Sequence, residues 1–149
     1  MKTLLYLLLL SPLGLFQAPA ADTERILYYV QLVRGNNEEK SPDAASKPVG
    51  PKLSQELRRV FAWKSYWEAS RHQVEVGPSR KVRVKLNADR ELEIDLGTMG
   101  KARLTAYSEG KPVSEITRLP NEKLTIMGGD RDRQSAWFIV VRRDKPTED

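Results

Sequence analysis

Alternation of apolar and charged residues between positions 81 and 96 is the feature that most restricts how this chain can fold. Every second residue from 82 to 86 is Val or Leu, and the residues between them are Lys or Arg. The same alternation runs from 91 to 96, with Glu and Asp as the charged residues. Successive side chains of a strand point to opposite faces, so each segment predicts a strand with one apolar and one charged face. The intervening Asn-Ala-Asp-Arg is typical of a turn. An antiparallel hairpin with cross-strand ion pairs is therefore expected.

Short segments of the same kind occur along most of the chain. Turn-forming Gly, Pro and Asn separate them, and the predicted strands cover residues 24–33, 66–70, 73–76, 101–107, 113–118, 122–127 and 136–142. Repeated short strands with turn signals between them predict a mainly β (or α+β) chain. The expected architecture is an antiparallel β-sandwich or barrel-like sheet.

One segment has helical rather than strand periodicity. Residues 51–61 place four apolar side chains at positions i, i+4, i+7 and i+8, namely Leu53, Leu57, Val60 and Phe61. Proline suits the first turn of a helix, where its missing N–H has no partner to lose. A helix of about three turns is marginal alone, so we expect it near the N-terminus of the fold with its apolar stripe packed on a sheet.

The N-terminus has the organisation of a signal peptide. Lys2 precedes a mostly apolar run from 4 to 16, and Ala18 and Ala20 provide a small-x-small cleavage site. The run is short and interrupted by Ser-Pro, so it does not favour a membrane span. The sequence predicts a signal peptide over 1–20, and export to the periplasm or beyond the cell.

The remaining 21–149 is the size of a single β-rich domain. Within it, residues 36–51 contain three prolines and a glycine among polar residues. Such a segment has little apolar surface to bury, so it predicts a flexible loop within the domain rather than a domain boundary.

Residue types exclude several kinds of chemistry. The chain has no Cys and a single histidine, His72, which rules out disulfide scaffolds, thiolate chemistry and His- or Cys-rich metal sites. It has no Gly-x-Ser-x-Gly elbow, Walker loop or dinucleotide fingerprint. We interpret His72 as a partly exposed residue at a strand end. No cofactor, metal site or catalytic residue is predicted.

The carboxylates and the net charge indicate no enzyme or nucleic-acid site. The three acidic residues of 91–95 lie on a predicted solvated face, where ionised carboxylates are poor general acids. Asp130 and Asp132 belong to a Gly-Gly-Asp-Arg-Asp segment that predicts a hairpin turn with glycines at positive φ. The formal charge is +5, and the basic residues alternate with apolar ones instead of clustering, so no nucleic-acid partner is expected.

Three aromatic residues follow the predicted helix: Trp63, Tyr66 and Trp67. Such a cluster either covers the core where a helix meets a sheet or anchors a partner. Core packing is favoured for most of it. Tyr66 and Trp67 would lie on opposite strand faces, so one of them can be exposed. These three residues are the candidate partner-binding site.

The segment 137–141 is a continuous apolar run, which predicts a strand buried on both faces. We expect Ile139 to enter the same core as Leu57 and Phe61. Taken together, residues 57–66, 82–86, 128–130 and 137–141 resemble small exported bacterial β-rich domains of unknown function, in which an early strand and a helix precede a run of strands. That resemblance covers most of the mature chain and implies a Gram-negative envelope protein.

These observations favour a non-enzymatic envelope or secreted binding or assembly module with a protein partner. Two alternatives remain open: a small carboxylate-dependent envelope hydrolase, and a secreted inhibitor that uses 36–51 as its reactive segment. A pocket with two or more buried carboxylates would favour the hydrolase. An uncovered strand edge or an apolar patch would favour the binding module.

Overall fold

The computed structural model describes residues 24–147, except for the side chains of 129 and 130. The predicted signal peptide therefore lies outside the described residues. The elements in chain order are β1 (Ile26–Asn36), β2 (Lys47–Pro48), α1 (Pro51–Val60), β3 (Ser65–Val76), β4 (Arg80–Lys85), β5 (Arg90–Leu96), β6 (Ala102–Ser108), β7 (Lys111–Arg118), β8 (Leu124–Arg131) and β9 (Ser135–Arg142).

The strands form two antiparallel sheets. The first sheet has the order β2-β3-β1-β9-β8, and the second has the order β4-β5-β6-β7. Side chains from both sheets meet in one apolar core, which includes Leu32 of β1, Ile94 of β5 and Leu104 of β6. The predicted mainly β, sandwich-like fold with one helix is confirmed. The helix comes after the first two strands.

Helix α1 covers the outer face of the first sheet. Leu53 and Leu57 are buried there against Val33, Phe138 and Val140. The first sheet is therefore apolar on both faces, whereas the outer face of the second sheet is charged. The layers follow the order helix, first sheet, second sheet.

The hairpin predicted from the alternating charges is β4–β5. Its register places Lys81 opposite Asp95 and Arg83 opposite Glu93. The Lys81 Nζ lies 3.3 Å from Glu93 Oε1, and the Arg83 Nε lies 3.6 Å from Glu93 Oε2. The cross-strand ion pairs expected from the sequence are present.

Strand β3 is longer than predicted, and β1 and β8 extend past their predicted ends at 33 and 127. Residues 66–70 and 73–76 belong to one strand, β3, which continues through Arg71 and His72. Because β3 pairs with β1 along its whole length, the ladder holds these polar residues in extended backbone. The extra residue of β3 forms a bulge opposite Leu32 and Val33.

The predicted helical stripe is wrong at its C-terminal end. Val60 is 70% exposed, because the helix ends there and no longer turns its side chain towards the sheet. Phe61 has extended backbone (φ −122°, ψ 150°) and still packs on the helix side of the first sheet. The helical spacing thus holds for Leu53 and Leu57 only.

Strand β9 is central, between β1 and β8, and it is buried on both faces as predicted. The expectation for Ile139 is wrong. Its side chain packs between the two sheets, while Phe138 and Val140 pack with Leu57 under the helix. Neighbouring residues of a strand face opposite ways, so the odd and even positions of β9 enter different cores.

The segment 36–51 contains local structure. The Asp43 Oδ1 accepts hydrogen bonds from the backbone N–H groups of Ala45 (3.0 Å) and Ser46 (2.7 Å). The two residues of β2 then pair with β3. The flexibility expected of this loop stays a prediction.

Candidate functional site

Two of the three candidate aromatic residues are core residues. Tyr66 is 3% exposed and Trp67 is 8% exposed. The Tyr66 hydroxyl donates to the Phe61 carbonyl at 3.2 Å, and the Trp67 indole donates to Asn36 Oδ1 at 3.0 Å. Neither ring is presented at the surface: both follow the core packing that the sequence favoured, and neither is the exposed ring that strand alternation allowed. Of the predicted set, Trp63 is half-buried and available to a ligand.

Gly35 explains why Trp63 lies where it does. A Cβ atom at position 35 would come 2.7 Å from Trp63 Cδ1 and 2.9 Å from Trp63 Cγ. The indole therefore rests directly on the backbone of β1, where a larger residue would displace it. Phe138 also lies close to Gly35, since the same Cβ would come 3.1 Å from its ring.

The exposed side of Trp63 faces a cavity of about 540 Å³, here named the Trp63 groove. Its wall consists of Asn37, Val60, Phe61, Ala62, Trp63, Gly128, Arg131, Arg133, Ala136 and Phe138. The rings of Phe61 and Phe138 pack with centroids 4.3 Å apart. An aromatic floor with arginines at one side is the arrangement that the groove offers.

A second candidate surface is the β7 side of the second sheet, one of its two edges (the other is β4), here named the β7 edge. Strand β7 forms a ladder with β6, and none of the described strands pairs with its other side. Two of its apolar side chains are exposed, Val113 by 50% and Ile116 by 40%. Leu119, just after the strand, is 42% exposed.

The register explains why these side chains are uncovered. Ile116 pairs with Leu104, whose side chain is in the core between the sheets, so Ile116 lies on the core face of β7. Strand β8 lies beside β7 without a ladder and leaves that face open. Val113 is the bulge residue of β7, which has no opposite partner in β6.

The other end of β7 is closed by a buried arginine. Arg118 is 1% exposed, and its guanidinium donates to the carbonyl oxygens of Leu119 (3.2 Å) and Glu122. It lies 5.4 Å from the centre of the Tyr28 ring. Burial lowers the pKa of Arg118 and raises the pKa of Tyr28. The arginine thus ties the 119–123 turn to the core and fixes one end of the seam between β7 and β8.

We predicted His72 at a strand end, and this is wrong. It lies in the middle of β3, opposite Val30. It is half-buried, which agrees with partial exposure. Its buried Nε2 atom has no hydrogen-bond partner in the part of the chain that the structure describes. No hydrogen bond thus links it to a nucleophile or a carboxylate there, as a catalytic triad would require.

The carboxylates are in ion pairs and turns. Glu68 is 4% exposed and accepts hydrogen bonds from Gln31 and from Arg71 (3.0 Å). Asp132 accepts from the N–H groups of Gln134 and Ser135, both at 2.7 Å. The hairpin turn predicted over 128–132 lies further along the chain: residues 128–131 belong to β8, Gly128 has no positive φ, and the turn begins at Asp132.

Another cavity, of about 870 Å³, lies between the start of α1 and the C-terminal segment. Its charged wall residues have both signs: Lys52, Glu56, Glu122, Lys123, Arg142, Arg143 and Asp144. Arg142 is already paired with Asp144. Among the described side chains, which leave out Asp130, no group of three or more His, Asp or Glu residues is placed to hold a metal ion.

Comparison with family models, curated proteins and solved structures gave no match of any kind. Within the described residues, no helix has the length and apolar character needed to span a membrane.

Proposed function

We propose that this chain is a non-enzymatic envelope or secreted binding module that takes a protein partner on the β7 edge. The observation that carries the proposal is an eight-residue strand with one unpaired side and two exposed apolar residues, Val113 and Ile116. An uncovered edge of this kind is the feature that we expected of a binding module rather than of a hydrolase.

The free side of β7 offers two kinds of interaction. Its backbone N–H and C=O groups that do not face β6 are available for a further strand, which is how extended segments bind to sheet edges. Val113 and Ile116 add apolar area, which contributes about 25 cal/mol for each Å² removed from water. The partner segment is therefore extended and carries at least one apolar residue facing the sandwich core.

Export supports the same function, because the predicted signal peptide over 1–20 would bring the chain to an envelope where assembly partners occur. The hydrolase alternative has less support. It needs two carboxylates in one pocket, and the buried carboxylate of Glu68 is already held by Gln31 and Arg71.

The proposal is tested by site-specific photo-crosslinking in envelope extract from the organism that makes the chain. The photoreactive residue replaces Val113 in one variant and Ile116 in another. We expect one discrete adduct at both positions. Adding excess unlabelled chain should abolish it, while the same excess of the Ile116→Lys variant should not.

The matched control carries the photoreactive residue at Arg103, which is exposed on the outer face of the neighbouring strand β6. It should give no adduct. Equal labelling at 103, 113 and 116, or competition by Ile116→Lys as strong as by the unchanged chain, would contradict a partner site at the β7 edge.

A further inference from the structure

The Trp63 groove combines an apolar floor with a rigid support. Gly35 seats the indole of Trp63 on the β1 backbone, and the Phe61–Phe138 ring pair lies beside it. Val60, at the end of α1, is 70% exposed and forms the rim. Because these groups are held by the sheet and the helix end, the floor needs little rearrangement to receive an apolar side chain.

The charged residues described at the wall of the groove are both arginines. Arg131 and Arg133 are exposed, and neither has an ion pair with another described residue. Asp132, between them in sequence, directs its carboxylate to the N–H groups of Gln134 and Ser135 and so holds the turn. The two guanidinium groups are therefore available to carboxylates of a ligand.

From this arrangement we infer that the Trp63 groove is a second binding site, separate from the β7 edge, and that its ligand is an acidic peptide segment with a central apolar side chain. The apolar side chain packs on Trp63, Phe61 and Phe138. Flanking carboxylates accept hydrogen bonds from Arg131 and Arg133.

The polar groups of the groove favour a peptide over a glycan. Sugar hydroxyls need both donors and acceptors, and the arginines supply donors only. The Asn37 Oδ1 atom is the one side-chain acceptor among the described wall residues, and one of its two lone pairs already receives the N–H of Lys64 at 3.2 Å. A peptide with a carboxylate next to an apolar side chain matches the groove better, because the carboxylate accepts from the arginines and the apolar side chain packs on the aromatic rings.

The groove is independent of the function proposed above. It lies on the helix side of the first sheet, whereas the β7 edge belongs to the second sheet. A change at one surface therefore need not alter binding at the other.

Fluorescence anisotropy with a labelled nine-residue peptide tests this inference. The probe has a central Phe with Asp and Glu on both sides, and two comparison peptides replace either the Phe by Ser or the acidic residues by Lys. We expect the acidic Phe peptide to bind about tenfold more tightly than either comparison peptide, with an affinity that falls as salt is added.

Variants of the chain assign the binding to the groove. Arg131→Gln combined with Arg133→Gln should lower the affinity for the acidic Phe peptide about tenfold and make that affinity less dependent on salt. Trp63→Ala should weaken it by a similar factor at any salt concentration. Gly35→Ala should do the same by displacing the indole. Gly77→Ala, which lies outside the groove and whose added Cβ would come no closer than 3.4 Å to the Arg80 side chain, is its matched control.

Two further controls separate this site from the β7 edge and from general charge. Arg103→Gln removes an exposed arginine elsewhere, and Ile116→Lys alters the β7 edge; neither should change the peptide's affinity. Equal binding of the Ser peptide or the Lys peptide would overturn the inference. So would an unchanged affinity in the double arginine variant, which alters exposed side chains alone and leaves the fold intact.

Discussion

At the residue scale, two neighbours on β9 show how one position in the chain decides which core a side chain enters. Phe138 packs under the helix with Tyr66, their ring centroids 6.2 Å apart. Ile139 packs between the two sheets and is 5% exposed. The two residues are equally apolar in the sequence, so hydrophobicity alone does not distinguish their surroundings.

Ile139→Ala should lower the free energy of unfolding by about 2–5 kcal/mol, the usual cost of a large-to-small change in a packed core. Phe138→Ala should cost about 3–5 kcal/mol. Since Ile139 is remote from the helix side, its variant should keep the acidic-peptide affinity, while Phe138→Ala should lose it. Urea unfolding and anisotropy measure the two effects. A neutral Ile139→Ala would show that the inter-sheet core is assigned wrongly.

At the element scale, α1 depends on a narrow set of contacts. It has no side-chain N-cap, and no acidic residue in its first turn favours the helix dipole. Arg58 and Arg59 in the last turn do interact favourably with the negative end of the helix dipole. Most of the helix stability therefore comes from burying Leu53 and Leu57 on the first sheet.

Leu57→Ala should destabilise the chain by about 2–5 kcal/mol. Val60→Ala, three residues further along the same predicted stripe, should change the stability by less than about 0.5 kcal/mol because its side chain is exposed. Thermal unfolding followed by circular dichroism compares the pair. Similar losses in both variants would mean that the helix continues past Val60 and keeps its stripe against the sheet.

At the scale of the whole molecule, titrating side chains limit the pH range of stability. Hydrogen bonds from Ser46 lower the pKa of Asp43, the N–H of Gln134 lowers that of Asp132, and Arg142 lowers that of Asp144, all from 3.8. Burial raises the pKa of Tyr28 and of Tyr66 from 10.0. The folded chain thus binds protons less readily in acid and releases them less readily in alkali than the unfolded chain.

The sign of each effect follows from linkage. The aspartates contribute to the free energy of unfolding fully above pH 3.8. That contribution is lost as the pH falls through their lower pKa values in the folded chain. The tyrosines contribute to the free energy of unfolding fully below pH 10.0. That contribution is lost as the pH rises through their higher pKa values in the folded chain. Urea midpoints should be flat from about pH 5 to 9 and fall on both sides. Tyr28→Phe should reduce the alkaline fall, and an unchanged alkaline limb in that variant would refute the assignment.

The predicted export is also tested on the whole chain. The Ala18-x-Ala20 site predicts a mature N-terminus at Ala21. Intact-mass measurement of the protein from its native host checks this, and a full-length soluble cytoplasmic product of 17.0 kDa would contradict it.

With no Cys, the melting temperature should not change with reductant, and a chelator should have little effect.

The local features were predictable from the sequence because they depend on neighbours in the chain. The β4–β5 hairpin, the first turns of α1 and the burial of β9 on both faces follow from periodicity, charge alternation and turn residues alone. Trp63 was predictable as a candidate for the same reason. The burial of its companions Tyr66 and Trp67 could not be assigned ring by ring, because an aromatic ring in a strand looks the same in sequence whether or not another element covers it.

What the sequence by itself determined is therefore which segments form strands and which face of each is apolar. Only the tertiary structure decided the order of the strands, and with it the free side of β7, the separation of Phe138 from Ile139, and the meeting of Trp63 with Arg131 and Arg133. The physical reason is that an alternating pattern shows which side chains must be buried away from water. It does not show which distant segment of the chain will cover them.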